Sequence, residues 1–199
     1  MTEHIHSDPE GAKLGMWLFL FTEIILFGGL FVLYAVYLST FPEQFHAGGD
    51  QLNAVLGGIN TVVLITSSLF VAISVTALQK GNKKLCRIML WLTILSAGAF
   101  LCIKYVEWSS KYHHGLFPGM EQFQALPAGE AVFFSLYYTM TGLHGLHVII
   151  GAAVIGFVLF KLDKISSERE ETLLENSGLY WHLVDLVWIY LFPLFYLVA

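Results

Sequence analysis

Charge is what this chain has least of. Only 13% of its 199 residues are Asp, Glu, Lys or Arg, against roughly a quarter in a soluble domain. No Lys or Arg occurs between Lys13 and Lys80. Cysteine is nearly absent. Cys86 and Cys102 fall on one predicted helix, about 24 Å apart at 1.5 Å per residue, too far for a disulfide. Without a CxxC pattern, neither a thiolate metal site nor a redox motif is indicated. The polar, acidic segment Met1 to Gly11 lacks the basic region, apolar run and small-residue cleavage site of a signal peptide. There is no Gly-rich phosphate loop, dinucleotide fingerprint or HExxH, and nucleic acid is not expected among the partners. Short alternating segments are missing, which excludes a β-barrel. An internal repeat is also missing, which weakens an inverted-repeat transporter reading.

What the chain does have is apolar length. Hydrophobic residues make up 56% of it and its mean hydropathy is +0.67. Five runs are long enough to cross a ~30 Å hydrocarbon core: about Leu14 to Tyr37, Leu52 to Leu78, Leu85 to Trp108, Glu130 to Phe160, and Gly178 to Ala199. The expected fold is an all-α membrane protein, a five-transmembrane-helix bundle. It has a polar tail over 1–13 and a single domain over 14–199. With the N-terminus cytoplasmic, the inside segments hold Lys13, Lys80, Lys83, Lys84, Arg87, Lys161, Lys164 and Arg169. The outside segments hold Lys111, with Lys104 near that end of its helix. That bias places the N-terminus in the cytoplasm and the C-terminus in the periplasm.

A few polar residues interrupt the apolar runs. Glu23 is the one charge in the first. A lone carboxylate there is costly, so it is expected to be protonated, hydrogen-bonded or both. It reads equally as a proton-exchanging carboxyl and as a protonated acid tying two helices together. His144 and His147 share one helix face, among Gly142, Gly145, Gly151 and Gly156, which let a neighbouring backbone come close. The two can serve as haem or metal ligands, or donate hydrogen bonds to neighbouring helices, with Glu23 or Asp185 as partners. A closed metal site needs three or four ligands, which favours the second reading. His182 and Asp185 are i, i+3 and can pair, a role more structural than catalytic. Trp181 and Trp188 are membrane-belt or packing residues. Lys104 and Glu107, one turn apart near the outer surface, are expected to pair with each other. By depth, Glu23, His182 and Asp185 cluster in the cytoplasmic half. Three span histidines are too few for the six that a haem-copper catalytic subunit requires.

Several segments match a known pattern in order. Gly15-Met16-Trp17-Leu18-Phe19-Leu20-Phe21-Thr22-Glu23 is similar to a helix with a carbodiimide-reactive glutamate in subunit III of haem-copper respiratory oxidases. Asn60-Thr61 and the turn Gly81-Asn82-Lys83-Lys84 resemble that family's next helix and the turn after it. Tyr105-Val106-Glu107-Trp108 resembles the end of the following helix. Thr141 to Gly151 resembles its Thr-Gly-Phe-His-Gly-Leu-His-Val-Ile-Ile-Gly, with Leu143 for Phe. Tyr180-Trp181-His182-Leu183-Val184-Asp185-Leu186-Val187-Trp188 resembles its last helix. The likeness runs over about residues 14 to 198 and leaves out two helices that many members carry first. In those longer members the two helices form a phospholipid cleft with the other five.

The resemblance implies a non-catalytic core subunit of a proton-pumping terminal oxidase in a bacterial inner membrane, as a multi-pass protein. It implies packing against the haem-copper subunit I, with subunit II and other subunits in the complex. It implies haem and copper in those partners and none in this chain, and bound phospholipid. The implied role is stabilisation of subunit I and support of proton uptake, with Glu23 at the reactive position and His144, His147, His182, Asp185 and Glu107 as a structural polar network. A cytochrome c oxidase is favoured. A quinol oxidase or a nitric-oxide-reductase accessory subunit is the alternative, and a proton-coupled carrier is a reading of a different class.

Overall fold

A computed structural model describes residues 9–162 and 167–198. The described residues form seven α-helices and a terminal π-helical turn. They are α1 (Pro9–Thr40), α2 (Pro42–Gly49), α3 (Ala54–Gln79), α4 (Lys83–His113), α5 (Glu121–Gln124), α6 (Ala128–Lys161) and α7 (Ser167–Pro193), followed by Leu194–Val198. Five of them are long and apolar enough to cross a membrane, α7 counting together with its π-helical extension. There is no strand among the described residues. The all-α, five-span expectation therefore holds.

The element boundaries follow local chemistry. The Asn53 side chain accepts hydrogen bonds from the Val55 and Leu56 backbone N–H groups and starts α3. Asn82 does the same for Leu85 and starts α4. Between α3 and α4, Gly81 takes φ +74°, where a Cβ would be strained, and the turn closes in three residues. Three boundaries differ from the expectation. The charged stretch 161–177, between the fourth and fifth apolar runs, already belongs to α7 from Ser167 onward. Its charges bond to other helices: Lys83 Nζ reaches Glu170 Oε2 at 2.7 Å and Lys13 Nζ reaches Glu175 Oε2 at 2.7 Å. The polar tail is helical from Pro9, and the loop after α1 contains α2, which begins on Pro42. Lys164 lies outside the described residues.

α7 is the centre of the bundle and packs against α3, α6 and α1. α4 covers α3 and α6, while α1 lies at the edge on α7 and α6. Trp181 and Trp188 are fully buried packing residues, not belt residues. The Trp181 indole N–H donates to Ser67 Oγ and that of Trp188 donates to Thr61 Oγ1, both at 3.0 Å. These bonds fix the register of α7 on α3. At the far end from Lys13 and Lys83, edge-to-face rings fill the core. Tyr34 meets Phe45 and Phe195 at 5.3 and 5.1 Å between centroids, and Phe133 meets Phe45 and Phe195 at 5.4 and 5.6 Å.

The glycines of α6 admit side chains rather than backbone. A Cβ on Gly151 would stand 2.8 Å from the Trp181 ring, whereas one on Gly156 would meet nothing within 4 Å. Gly151→Ala is therefore expected to destabilise by about 1–3 kcal/mol through overpacking, while Gly156→Ala stays close to wild type. Thermal unfolding of the two variants in detergent, compared with wild type, is the check.

Candidate functional site

The polar groups inside the spans fall into separate clusters, set by helix register. α1 turns Leu20, Glu23, Phe27 and Tyr34 inward at i, i+3, i+7 and i+14. Glu23 thereby faces α6 about ten residues, or roughly 15 Å, beyond Lys13. Its Oε2 lies 2.9 Å from His147 Nε2. The other ring nitrogen, Nδ1, lies 2.7 Å from the Leu143 carbonyl oxygen. A carbonyl only accepts, so Nδ1 carries a hydrogen. The proton on the Nε2 side is then shared with the glutamate. Either a neutral acid donates to Nε2, or an imidazolium donates to a carboxylate. In both forms the pair is net neutral, as burial in an apolar span requires. Phe27 packs its ring edgewise on His147 at 5.2 Å.

A second cluster lies toward the opposite end. Lys104 and Glu107 pair at 2.8 Å, but not at the surface. Both are buried, joined by Tyr137 from α6 and Tyr196 from the π-helical turn. The Lys104 ammonium donates to Glu107 Oε2, to Tyr196 Oη at 2.8 Å and to Tyr137 Oη at 3.1 Å, which uses its three hydrogens. The Tyr196 hydroxyl donates to the Glu107 carboxylate at 2.7 Å. The Trp188 ring lies 5.1 Å from the same ammonium.

His144, His182 and Asp185 join neither cluster. His144 is fully buried between Phe100 and Trp188, with ring centroids at 5.4 and 5.2 Å, and neither of its nitrogens is hydrogen-bonded among the described residues. His182 does not pair with Asp185. One turn apart on α7, they point differently: His182 is exposed with Nδ1 2.5 Å from Ser68 Oγ, while the Asp185 carboxyl is buried beside the same Ser68 side chain, without a hydrogen bond of normal geometry among the described residues. The residues expected to act as structural polar groups thus lie in separate places. No three His, Cys, Asp or Glu side chains converge as a metal site among the described residues.

The family model for cytochrome c oxidase subunit III matches residues 1–199. The chain belongs to the cytochrome c oxidase subunit III family. It is 31% identical to a cytochrome c oxidase subunit 3 of Thermostichus vulcanus, over 99% of this chain and 92% of that one. It is 28% identical to a cytochrome bo(3) ubiquinol oxidase subunit 3 of Pseudomonas putida, over 98% and 89%. A protein of Aeropyrum pernix named heme-copper oxidase subunit I+III is 30% identical over 98% of this chain, which spans 24% of that longer protein.

In this subunit III chain, the sequence pointed to Glu23 and His147 singly and named Glu23 as one of two hydrogen-bond partners, with Asp185; the structure brings Glu23 and His147 together. It gave no notice of Tyr137 or Tyr196. Tyrosines are ordinary in apolar spans, and only the buried Lys104, which demands partners, could have signalled them. Removing that ammonium leaves Glu107 buried and uncompensated. Lys104→Met is expected to destabilise the subunit by about 3–5 kcal/mol. Adding Glu107→Gln to it should recover most of the loss. A double-mutant cycle of thermal unfolding checks this, and a double variant as unstable as the single one would contradict the assignment.

Proposed function

We propose that this chain is a non-catalytic core subunit of a proton-pumping terminal oxidase, stabilising the haem-copper subunit and supporting proton uptake. The observation that carries the reading is the family match across the whole chain. In this reading dioxygen reduction and its haem and copper belong to the partner subunits. Subunit I is the main contact and subunit II a further one. The subunit I+III name of the Aeropyrum pernix relative supports a close association of the two.

The subunit works as one unit over 14–199 in a bacterial inner membrane, with its N-terminus cytoplasmic. Lys13 and Lys83 lie at the same end of the bundle through their ion pairs to Glu175 and Glu170, which accords with that orientation. Glu23 and His147 then lie in the cytoplasmic half. A hydrogen-bonded acid and imidazole that share one proton form a group able to exchange it: release leaves a single negative charge on the pair, and uptake restores its neutrality. Glu107, His144, His182 and Asp185 act structurally. An apolar cleft of about 280 Å³ between α4 and α6, lined by residues that include Phe100, Trp108 and Gly145, is of a size for part of one acyl chain of a bound phospholipid.

Cytochrome c is the favoured electron donor. The bo(3) ubiquinol oxidase relative at 28% identity supports quinol as the second reading. Purification of the tagged chain in mild detergent, followed by a reduced-minus-oxidised spectrum, is the test. Haem bands with large partner chains are expected, and oxidation of reduced cytochrome c or of quinol by that preparation identifies the donor. A colourless, monodisperse chain that keeps its fold would overturn the reading in favour of a carrier. Within the complex, Glu23→Gln is expected to assemble normally and to lower sustained turnover or shorten its duration. Wild-type activity over many turnovers would remove Glu23 from proton uptake.

A further inference from the structure

Seven positions beyond Glu175, α7 turns an imidazole outward. His182 is exposed, although its neighbours Trp181 and Asp185 are buried. Its Nδ1 lies against Ser68 Oγ at 2.5 Å, which fixes the ring, and Nε2 has no hydrogen-bond partner among the described residues. The depth follows from helical rise. Gln79 and Glu175 meet at 3.3 Å and mark one level near the end of the bundle. His182 is about 10 Å from Glu175 along α7, and Ser68 about 16 Å from Gln79 along α3. Both therefore lie within a hydrocarbon core of ~30 Å. The other described histidines are placed differently. His144 and His147 are buried. His46, His113 and His114 lie at the far end, on α2 and at the end of α4.

His182 is not isolated on that face. Leu179, Leu186 and Ile189 follow it at i−3, i+4 and i+7, with Leu186 and Ile189 about half exposed. α3 packs on one flank of α7 and α1 on the other, and these two helices do not form a packed pair that would close over the strip. An acyl chain would satisfy the leucines and leave Nε2 facing hydrocarbon, an unfavourable placement for an imidazole. A helix with one hydrogen-bonding side chain at the right level satisfies both. Transmembrane helices associate through such a combination of apolar packing and a single interhelical hydrogen bond.

We propose that the strip Leu179–His182–Leu186–Ile189 receives a transmembrane helix of the haem-copper subunit, one that presents a hydrogen-bonding side chain to His182 Nε2. This rests on the oxidase-subunit reading above. If Ser68 donates its hydroxyl hydrogen to Nδ1, Nε2 carries the ring hydrogen and the partner group is an acceptor. In the other tautomer the partner group is a donor.

The test uses the assembled complex, purified through the tagged chain, with a photo-crosslinking residue at Leu186 or, as control, at Leu146, which is exposed on α6. Leu186 is expected to join the haem-bearing subunit and Leu146 not to. His182→Leu is expected to weaken retention of the chain on the complex by about tenfold, the size of one net hydrogen bond. His182→Gln, which keeps a hydrogen-bonding end, recovers part of that loss. With haem present, crosslinks from Leu186 only to lipid or to a second copy of the chain overturn the proposal, as does wild-type retention of His182→Leu. A preparation without any haem-bearing partner overturns the oxidase-subunit reading itself, and is recognised by its spectrum before crosslinking.

Discussion

A lysine ammonium buried in a bilayer needs a counter-charge and acceptors for all of its hydrogens. In this protein Lys104 obtains both from three different elements. Glu107 is on its own helix, Tyr137 on α6, and Tyr196 on the π-helical turn after α7. Meeting that one requirement brings α4, α6 and the C-terminal segment together at a defined height. The π-helical turn, which begins directly after Pro193, carries Tyr196 to Glu107 and Lys104. The same turn offers the Leu194 carbonyl to the Tyr34 hydroxyl at 2.5 Å, which attaches the edge helix α1.

Toward the other end the constraint is the same and the solution is smaller. Glu23 and His147 need one proton between them, and the Leu143 carbonyl fixes which ring nitrogen takes part. Between the two clusters the core is aromatic, with Trp181 and Trp188 tied to hydroxyls of α3. Polar side chains in this bundle thus serve as positioning devices: each bond between helices removes a rotational choice that Leu and Phe packing would leave open.

The five spans were legible because a hydrocarbon core imposes length and apolarity directly on sequence. Glu23 stood out for the same reason, as a charge where none is tolerated unpaired. The start of α7 was not legible by that measure. Ser167 to Asn176 is mostly polar, and what anchors it is distant in sequence: Leu174 is buried in the core, and Glu170 and Glu175 pair with Lys83 and Lys13. The separation of His182 from Asp185 was also hidden. Spacing of i, i+3 places two residues near one another on a helix, yet the angle between them can put one at the core and the other at the surface. The tyrosines around Lys104 were hidden because partner choice across helices is decided by the packing geometry, to which no local pattern corresponds.

The cluster around Lys104 also bears on how the protein is made. Lys104 and Glu107 are synthesised within one turn of each other, long before Tyr137 and Tyr196. α4 therefore carries its two opposite charges adjacent from the start, as a neutral pair in which two of the Lys104 hydrogens still await acceptors. The tyrosines come later and complete the hydrogen bonds of a pair already in place. Tyr196 is the last of them to be made, so the hydrogen bonds of the pair are completed only when the turn after α7 is in place, and until then α4 and α6 share packing and the Lys104–Tyr137 contact.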